Sequence, residues 1–534
     1  MTSGREHLNG KFRLQCGYDQ PALALKRAIG GEVVTVMGLD RNSYGFKTSG
    51  SQNLTRRGLL QRAGWAVAAA GLSRVSVLAA ENVSPIMARL SSYMSEARNR
   101  ALPDEVTEKA KHHILDTFAA MVSGAELPPG RAAIQFARSY SGEKIATVVA
   151  SNVLCGPIEA ALANGLLAHS DETDDTHAPS VSHPGSSAVP AALAVGEQFG
   201  IDGTRFVRAV TLGYDVGPRV NLTLGGEDFR VETHRATQSI GGTFSAAAAA
   251  GCAASLNTQQ MRWVLDYASQ EASGIGAWQR DTDHIEKGFV FAGGPARNGV
   301  TAALLVQSGW TGVDDVFSGA DNFFLANQHQ SDPAELIEKL GERYEITRTN
   351  IKKWTVGSPI QAALDALENL FKQHPFNADQ VQNVTVRVAT TKASIVDNRE
   401  LPDICLQYMM AVMLIDKTAS FRAAHDKSRM QNPEVLRQRA KVQLVPDEEL
   451  ERRLPRREAI VEVTLTDGTK LSEHVEAVRG TAENPMSRDE VVTKCRDLMA
   501  PVLGAAATTS LIDKVLGLEN LKNILDLRPL LQRT

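Results

Sequence analysis

Residues 241–256 read GGTFSAAAAAGCAASL, a run with no charge and almost no bulk. A segment this uniformly small and apolar offers no polar face to water, so as a helix it must be enclosed on every side. Its neighbours must then come close to its backbone, which helices of small residues can do. Aromatic residues are only 5% of the 534, and alanine and glycine dominate the apolar set. Closely packed helices are therefore favoured over a large β-sandwich. The chain is too long for one compact core, so two or more domains are expected. Its net charge of −4 shows no basic surplus for nucleic acid or an anionic membrane. The five cysteines, Cys16, Cys155, Cys252, Cys405 and Cys495, are scattered with no C-x-x-C pair. This argues against a thiolate zinc site, an iron–sulfur cluster or a disulfide framework.

Helical patterning begins near residue 84. Ser84-Pro85 reads as an N-cap followed by a first-turn proline. In PDEVTEKAKHHILDTFAAMVSG, Val106, Ala110, Ile114 and Phe118 share one face, and Gly124 stands where a C-cap glycine belongs. Further helical runs cover 157–169, 187–199, 203–216, 240–256 and 258–272. The texture changes after about residue 355. VQNVTVRVA alternates Val384, Val386 and Val388, and AIVEVTLTDGTKL alternates Val461, Val463 and Leu465 into a Thr-Asp-Gly turn before LSEHVEAV returns. Helical segments near 359–373, 402–416 and 432–442 lie between these strands. The expected architecture is mainly α: a large helical domain over 84–350, a smaller α+β lid over 351–485, and C-terminal helices over 486–534 that return to the helical domain.

Ahead of these, residues 54–80 carry Arg56-Arg57, two leucines, the short apolar stretch GWAVAAAGL and a small-residue exit at VLAAE. This resembles a bacterial twin-arginine export signal with cleavage near Ala79 or Ala80. The expectation is a periplasmic protein, or a cytoplasmic one if the signal is not functional. The apolar stretch is too short and interrupted for a stable membrane span. Residues 1–53 are read as a poorly ordered leader or the product of a misassigned start.

The chemistry concentrates in HSDETDDTHAPSVSHPG, residues 169–185, with four acidic residues and three histidines between two apolar helices. Three readings fit the residue types. Asp171, Glu172, Asp174, Asp175, His177 and His183 could bind a cation, although the spacing matches neither an EF-hand nor H-E-x-x-H. The stretch could be a solvated loop with helix caps. It could also be an acid/base site, because carboxylates crowded beside histidines have the coupled ionisation that proton transfer uses.

The segment NGLLAHSDETDDTH…SHPGSSAVPAALAVGE resembles the NG-x-x-AH-x-x-D/E-x-DDTH…HPG-x-x-x-x-PAALA segment of the 2-methylcitrate dehydratase (MmgE/PrpD) family, which includes cis-aconitate decarboxylase. HHILDTFAAMVSGAE, SIGGTFSAAAAAG, GFVFAGGPARNGVTAALLVQSGWTGVDDVFSG and NPMSRDEVVTKCRDLM resemble further family segments, in order, over roughly residues 84–530. The resemblance implies a helical domain and an α+β lid enclosing a site, a homodimer, no metal or organic cofactor, and a small di- or tricarboxylate substrate.

It also implies roles. Glu172, three residues after His169, matches the family's acidic pocket residue; Thr176 is the threonine of DDTH; His183 precedes the PG turn. His177 is a further candidate. The family's second histidine, in an H-P-T motif, has no direct equivalent in ETHRATQSIGGTF, where His234 comes about two residues early and Gln238 and Ser239 stand adjacent. The basic segment K-R-x-H-x-G-R-A-A becomes EKGFVFAGGPARNG, with Lys287 displaced by about one residue, the histidine absent and Arg297 farther on. A cation is required to clamp substrate carboxylates, so Lys287 and Arg297 are the candidates, with Lys352 and Lys353 behind them. Tyr408 stands where the family has a pocket tyrosine.

These assignments describe a cofactor-independent lyase of the 2-methylcitrate dehydratase type, a carbon–oxygen lyase acting on a small di- or tricarboxylate. His183 and His234 exchange protons, Glu172 and Thr176 orient the substrate, and a lysine or arginine stabilises the negative intermediate. An epimerase, a decarboxylase or a non-catalytic carboxylate-binding protein would use the same layout.

Overall fold

The computed structural model describes residues 83–327 and 330–533. The leader and the twin-arginine stretch lie outside the described residues. The helices that position the site are α1 (Pro85–Glu96), α2 (Asp104–Gly124), α3 (Pro157–Ala168), α4 (Gly185–Phe199), α5 (Gly203–Thr223), α6 (Thr237–Ala253), α7 (Gly294–Gln307), α8 (Ser358–Gln373), α9 (Leu406–Asp416) and α10 (Arg488–Leu503). The alanine-rich run forms α6, and every one of its residues is buried. It packs against α5, α7 and α4. Ser84 caps α1 through the backbone N–H of Met87. No helix among the described residues is long and apolar enough to cross a membrane.

The described apolar residues gather into two cores. One draws on residues 87–351 and again on 486–531. The other is confined to 354–478. Besides the short hairpin of β1 (Ala146–Thr147) and β2 (Leu154–Cys155), a four-stranded sheet carries the second core. Its strands are β3 (Val381–Ala389), β4 (Val442–Asp447), β5 (Ala459–Leu465) and β6 (Lys470–Val475), in the order β4-β3-β5-β6. Val384, Val386, Val388, Val461 and Val463 all face inward, as the period-two pattern requires. β3 pairs antiparallel with β5 and parallel with β4, so the sheet is mixed. The architecture is thus mainly helical with a small α+β region. β4 was not expected, because 432–442 read as helix and Pro446 argues against a strand. The helix there is shorter, Pro433–Arg439, and β4 is an edge strand, where a missing N–H costs no ladder bond.

Candidate active site

The acidic-histidine stretch is the connection between α3 and α4. His169 terminates α3, its N–H reaching the carbonyl of Gly165, and α4 begins at Gly185. A Cβ on Gly185 would fall 2.4 Å from the Tyr214 hydroxyl and 2.9 Å from a carboxylate oxygen of Asp175. Glycine is therefore demanded by what packs against it. Asp175 accepts from Tyr214, from His113 Nδ1 at 2.8 Å and from the Gly185 N–H at 3.1 Å. It pins the connection to α2, α4 and α5. His177 is fully buried between Ser180 Oγ (2.7 Å) and Glu345 Oε2 (3.1 Å). Backbone bonds between Thr176 and Asn350 (2.8 and 3.0 Å) tie the stretch to the segment leading into α8.

The remaining acids face cations. Glu172 is ion-paired with Lys287, and Lys352 Nζ lies 2.9 Å from the Glu172 carbonyl and 3.6 Å from its Oε2. Burial opposes ionisation of Glu172, but Lys287 and then Lys352 outweigh it and hold the carboxyl well below its usual range. Asp174 sits 2.9 Å from His169 Nδ1, 3.3 Å from His183 Nδ1 and 3.5 Å from Lys352 Nζ. It too is held well below the carboxylate range, by the two histidines and Lys352 acting against its burial. Two trios, His169–Asp174–His183 and His169–Glu172–His284, bring donor atoms within 4.8 Å of one another. Ammonium groups already stand beside the carboxylate of each trio, which meets the charge a metal cation would otherwise supply. Asp171 is engaged separately, with His425 Nε2 at 2.9 Å and the Thr173 hydroxyl at 2.6 Å.

His183 Nδ1 lies 2.7 Å from the Asp175 carbonyl oxygen. A carbonyl only accepts, so Nδ1 carries a proton, and in the neutral ring Nε2 is the nitrogen that can act as a base. His183 lines a cavity of about 300 Å³ together with Glu172, Thr176, Gln238, His284 and Lys287. Trp278 and Phe291 form an aromatic wall, their rings edge to face at 4.6 Å, with Lys287 Nζ 5.2 Å from the Phe291 centroid. Phe291 sits in a wide π-type turn, Phe289–Gly293, that leads into α7. The opposite wall comes from the 354–478 region. It contributes Lys392, Arg399, Arg457 and the N-terminal end of α8 at Gly357–Pro359, whose partial positive charge also favours an anion. The lining holds five cationic side chains, with Arg230 and Lys287 completing the set, against the carboxylates of Glu172, Glu227 and Asp281. Arg230 and Lys392 share Glu227, at 2.6 and 3.0 Å. Arg457 is attracted by the carboxylates of Glu227 and Glu172, which line the same cavity. A second cavity of about 430 Å³ adjoins this one through Thr176, Ser358 and Arg457, which line both.

Residues 88–335 match the MmgE/PrpD N-terminal domain, and residues 354–518 match the MmgE/PrpD C-terminal domain. The chain belongs to the MmgE/PrpD family. It is 26% identical over 480 residues to the cis-aconitate decarboxylase of Aspergillus terreus, covering 84% of this chain and 96% of that one. It is 25% identical over 460 residues to the cis-aconitate decarboxylase of Homo sapiens, covering 81% and 91%. The mouse enzyme of the same name is 24% identical over 450 residues, covering 79% and 88%.

Of the residues singled out from the MmgE/PrpD resemblance, Glu172, Thr176, His183 and Lys287 are brought to one cavity. Lys352 stands behind Glu172. The others lie elsewhere. His234 caps the short helix Glu227–Thr233 with φ +58°, is exposed, and lines a surface cleft with Arg235 and Ile275 that meets the cavity at Arg230, Trp278 and Gln279 without His234 lining the cavity itself. The helix start that should present a histidine presents Gln238 instead. Arg297 turns its guanidinium onto Asn298 Oδ1 (2.9 Å) and the Phe289 ring. Tyr408 is fully buried in the second core, its hydroxyl donating to the Ala423 carbonyl at 2.8 Å. His177 is spent on Ser180 and Glu345, and Lys353 on Glu368 at 2.6 Å and the Trp354 ring.

His284 was not anticipated. Its position three residues before Lys287 in DTDHIEKG was the available signal. Its backbone is left-handed, φ +67°, which costs a non-glycine residue on the order of 1–3 kcal/mol. Asp281 and Asp283 hold that turn by accepting from the N–H groups of Lys287 (2.8 Å) and Ile285 (3.2 Å). Arg230, Lys392, Arg399 and Arg457 were also missed, since nothing in their spacing separates them from ordinary surface charges.

Proposed function

We propose that the protein is a cofactor-independent lyase acting on a small di- or tricarboxylate by proton transfer at a carbon next to a carboxylate. The observation that carries this is the cavity itself: a cationic surplus closes over a fixed imidazole base, His183, and a buried Glu172–Lys287 pair. A polycarboxylate neutralises the surplus, and its carboxylates fit Lys392, Arg457 and the start of α8. Lys287 stands at the histidine end, where it stabilises negative charge developing on the carboxylate attached to the reacting carbon. Glu172 keeps Lys287 in place, and the Thr176 hydroxyl, 3.5 Å from His183 Nδ1, orients the ring. The base takes a proton, or a proton is returned to a carbanion after a carboxylate has left. These steps serve dehydration and decarboxylation alike. The curated relatives are decarboxylases, which supports cis-aconitate as the first substrate to test and C–C cleavage as the first reaction to look for.

The test is proton NMR in deuterated water with a panel of cis-aconitate, 2-methylcitrate, citrate and smaller dicarboxylates. It reports decarboxylation, dehydration and epimerisation together. Turnover with solvent deuterium at carbon, unchanged by chelators, is expected. Absence of exchange and turnover across the panel, or activity lost to a chelator and restored by zinc or iron, refutes the reading.

A further inference from the structure

We propose that His284 is the second acid/base residue of this cavity, exchanging a proton with bound polycarboxylate alongside His183. The inference rests on the function proposed above and deepens it. Among the residues lining the cavity, His183 and His284 are the two imidazoles. The other histidines near the stretch do not line the cavity: His169 is fully buried with Nδ1 on Asp174, its Nε2 also unpartnered among the described residues, His177 is held by Ser180 and Glu345, and His234 lines the adjoining cleft. His284 is buried, yet its Nε2 has no hydrogen-bond partner among the described residues. A donor atom of His284 lies within 4.8 Å of a Glu172 oxygen and a His169 nitrogen, and its ring centroid is 5.2 Å from that of His169. A side chain held in a left-handed turn, lining an anion cavity with a nitrogen left unsatisfied, is placed for a ligand rather than for packing.

The charges around His284 set how it works. Asp281, Asp283 and Lys287 lie on its own turn, and His169, Asp171 and Glu172 on the connection facing it. Burial and then the Lys287 ammonium push its pKa down to about 3, against the pull of Glu172 and Asp171, so the free enzyme holds it neutral at pH 7. A substrate carboxylate seated on Lys287 cancels that repulsion and adds negative charge, so the imidazole gains proton affinity when substrate binds. The steps balance. In decarboxylation the C–C bond to the departing carboxylate breaks, carbon dioxide leaves, and the electron pair stays on carbon. The His284 imidazolium then forms the new C–H bond and returns to imidazole. In dehydration His183 Nε2 takes the carbon-bound proton, the electron pair forms the double bond, and the hydroxyl leaves as water with the His284 proton.

The experiment titrates the full chain with tricarballylate, a saturated tricarboxylate, by calorimetry at pH 7 in buffers of differing ionisation enthalpy, and measures turnover of the substrate found by NMR. Asparagine is the replacement of choice because it tolerates the left-handed backbone; His284→Gln and a thermal unfolding curve guard against misfolding. Wild type should take up a measurable fraction of a proton on binding. His284→Asn should lose that uptake, bind tricarballylate within threefold of wild type, and turn over at least a hundredfold more slowly. His183→Asn should keep the uptake. Uptake that survives in His284→Asn or vanishes in His183→Asn, or turnover unaffected by His284→Asn, overturns this inference alone. A wild-type protein that neither binds nor converts a tricarboxylate overturns the proposed function with it.

Discussion

Replacing Lys287 by methionine separates what this lysine does for the fold from what it does for the ligand. Methionine keeps the apolar stem and removes the charge. The ammonium is paired with Glu172, both side chains largely out of solvent at 15% and 7% exposure. Removing one partner of a buried pair typically costs about 3–5 kcal/mol, because the other charge is stranded. Here Lys352 Nζ remains 3.6 Å from the other Glu172 oxygen, so a loss of roughly half that, about 1.5–3 kcal/mol, is expected. The pH dependence has a definite sign. In the wild type Glu172 is held below its unfolded pKa, so its contribution is present above the unfolded carboxylate pKa and is lost as pH falls through the folded value. In Lys287→Met burial is less opposed and the Glu172 pKa rises. The stability gap between wild type and variant is therefore widest at neutral pH and narrows toward pH 4. Urea unfolding of Lys287→Met, Glu172→Gln and the double variant at several pH values measures this. The double variant should be more stable than Lys287→Met, since the stranded carboxylate is gone. Polycarboxylate binding should weaken about ten- to a hundredfold in Lys287→Met from one lost charge-assisted bond. A variant as stable as wild type, a pH-independent gap, or unchanged ligand affinity would refute the assignment.

Tyr408→Phe should leave KM and kcat within twofold, because the hydroxyl serves the Ala423 carbonyl, and should cost about 1 kcal/mol in denaturant unfolding. Asp403 is driven up to about 7 by burial, with the carboxylates of Glu172 and Asp171 adding to the rise against the opposing pull of His425. The folded state therefore binds the extra proton, and stability falls as pH rises from about 4 to 7; Asp403→Asn should flatten that fall and raise Tm at pH 8 but not at pH 4. We propose export by the twin-arginine route: mass spectrometry of the protein from its native host should find an N-terminus near Glu81, and an intact cytoplasmic N-terminus would contradict this.

Local pattern was enough for the secondary structure that local forces determine. The uniform apolarity of α6 required enclosure, and the alternating valines of β3 and β5 required one buried face. The residue types of the acidic-histidine stretch left a solvated loop as open as a site, and its burial between apolar helices is known only from the tertiary structure. The sequence also left open which partners those ionisable groups have. Lys287 reaches Glu172 across 115 positions and Lys352 across 180, and the cationic wall of Lys392, Arg399 and Arg457 comes from a separate core. Such pairs leave no periodicity, because packing of distant segments brings them together rather than the pitch of a helix or the pleat of a strand. The same limit separated the histidines. His177, His183, His234 and His284 look alike in sequence. Only the tertiary structure sealed the first against Glu345, turned the third to the surface, and left the second and fourth facing an anion-sized cavity, since burial and hydrogen-bond partners decide what an imidazole can do.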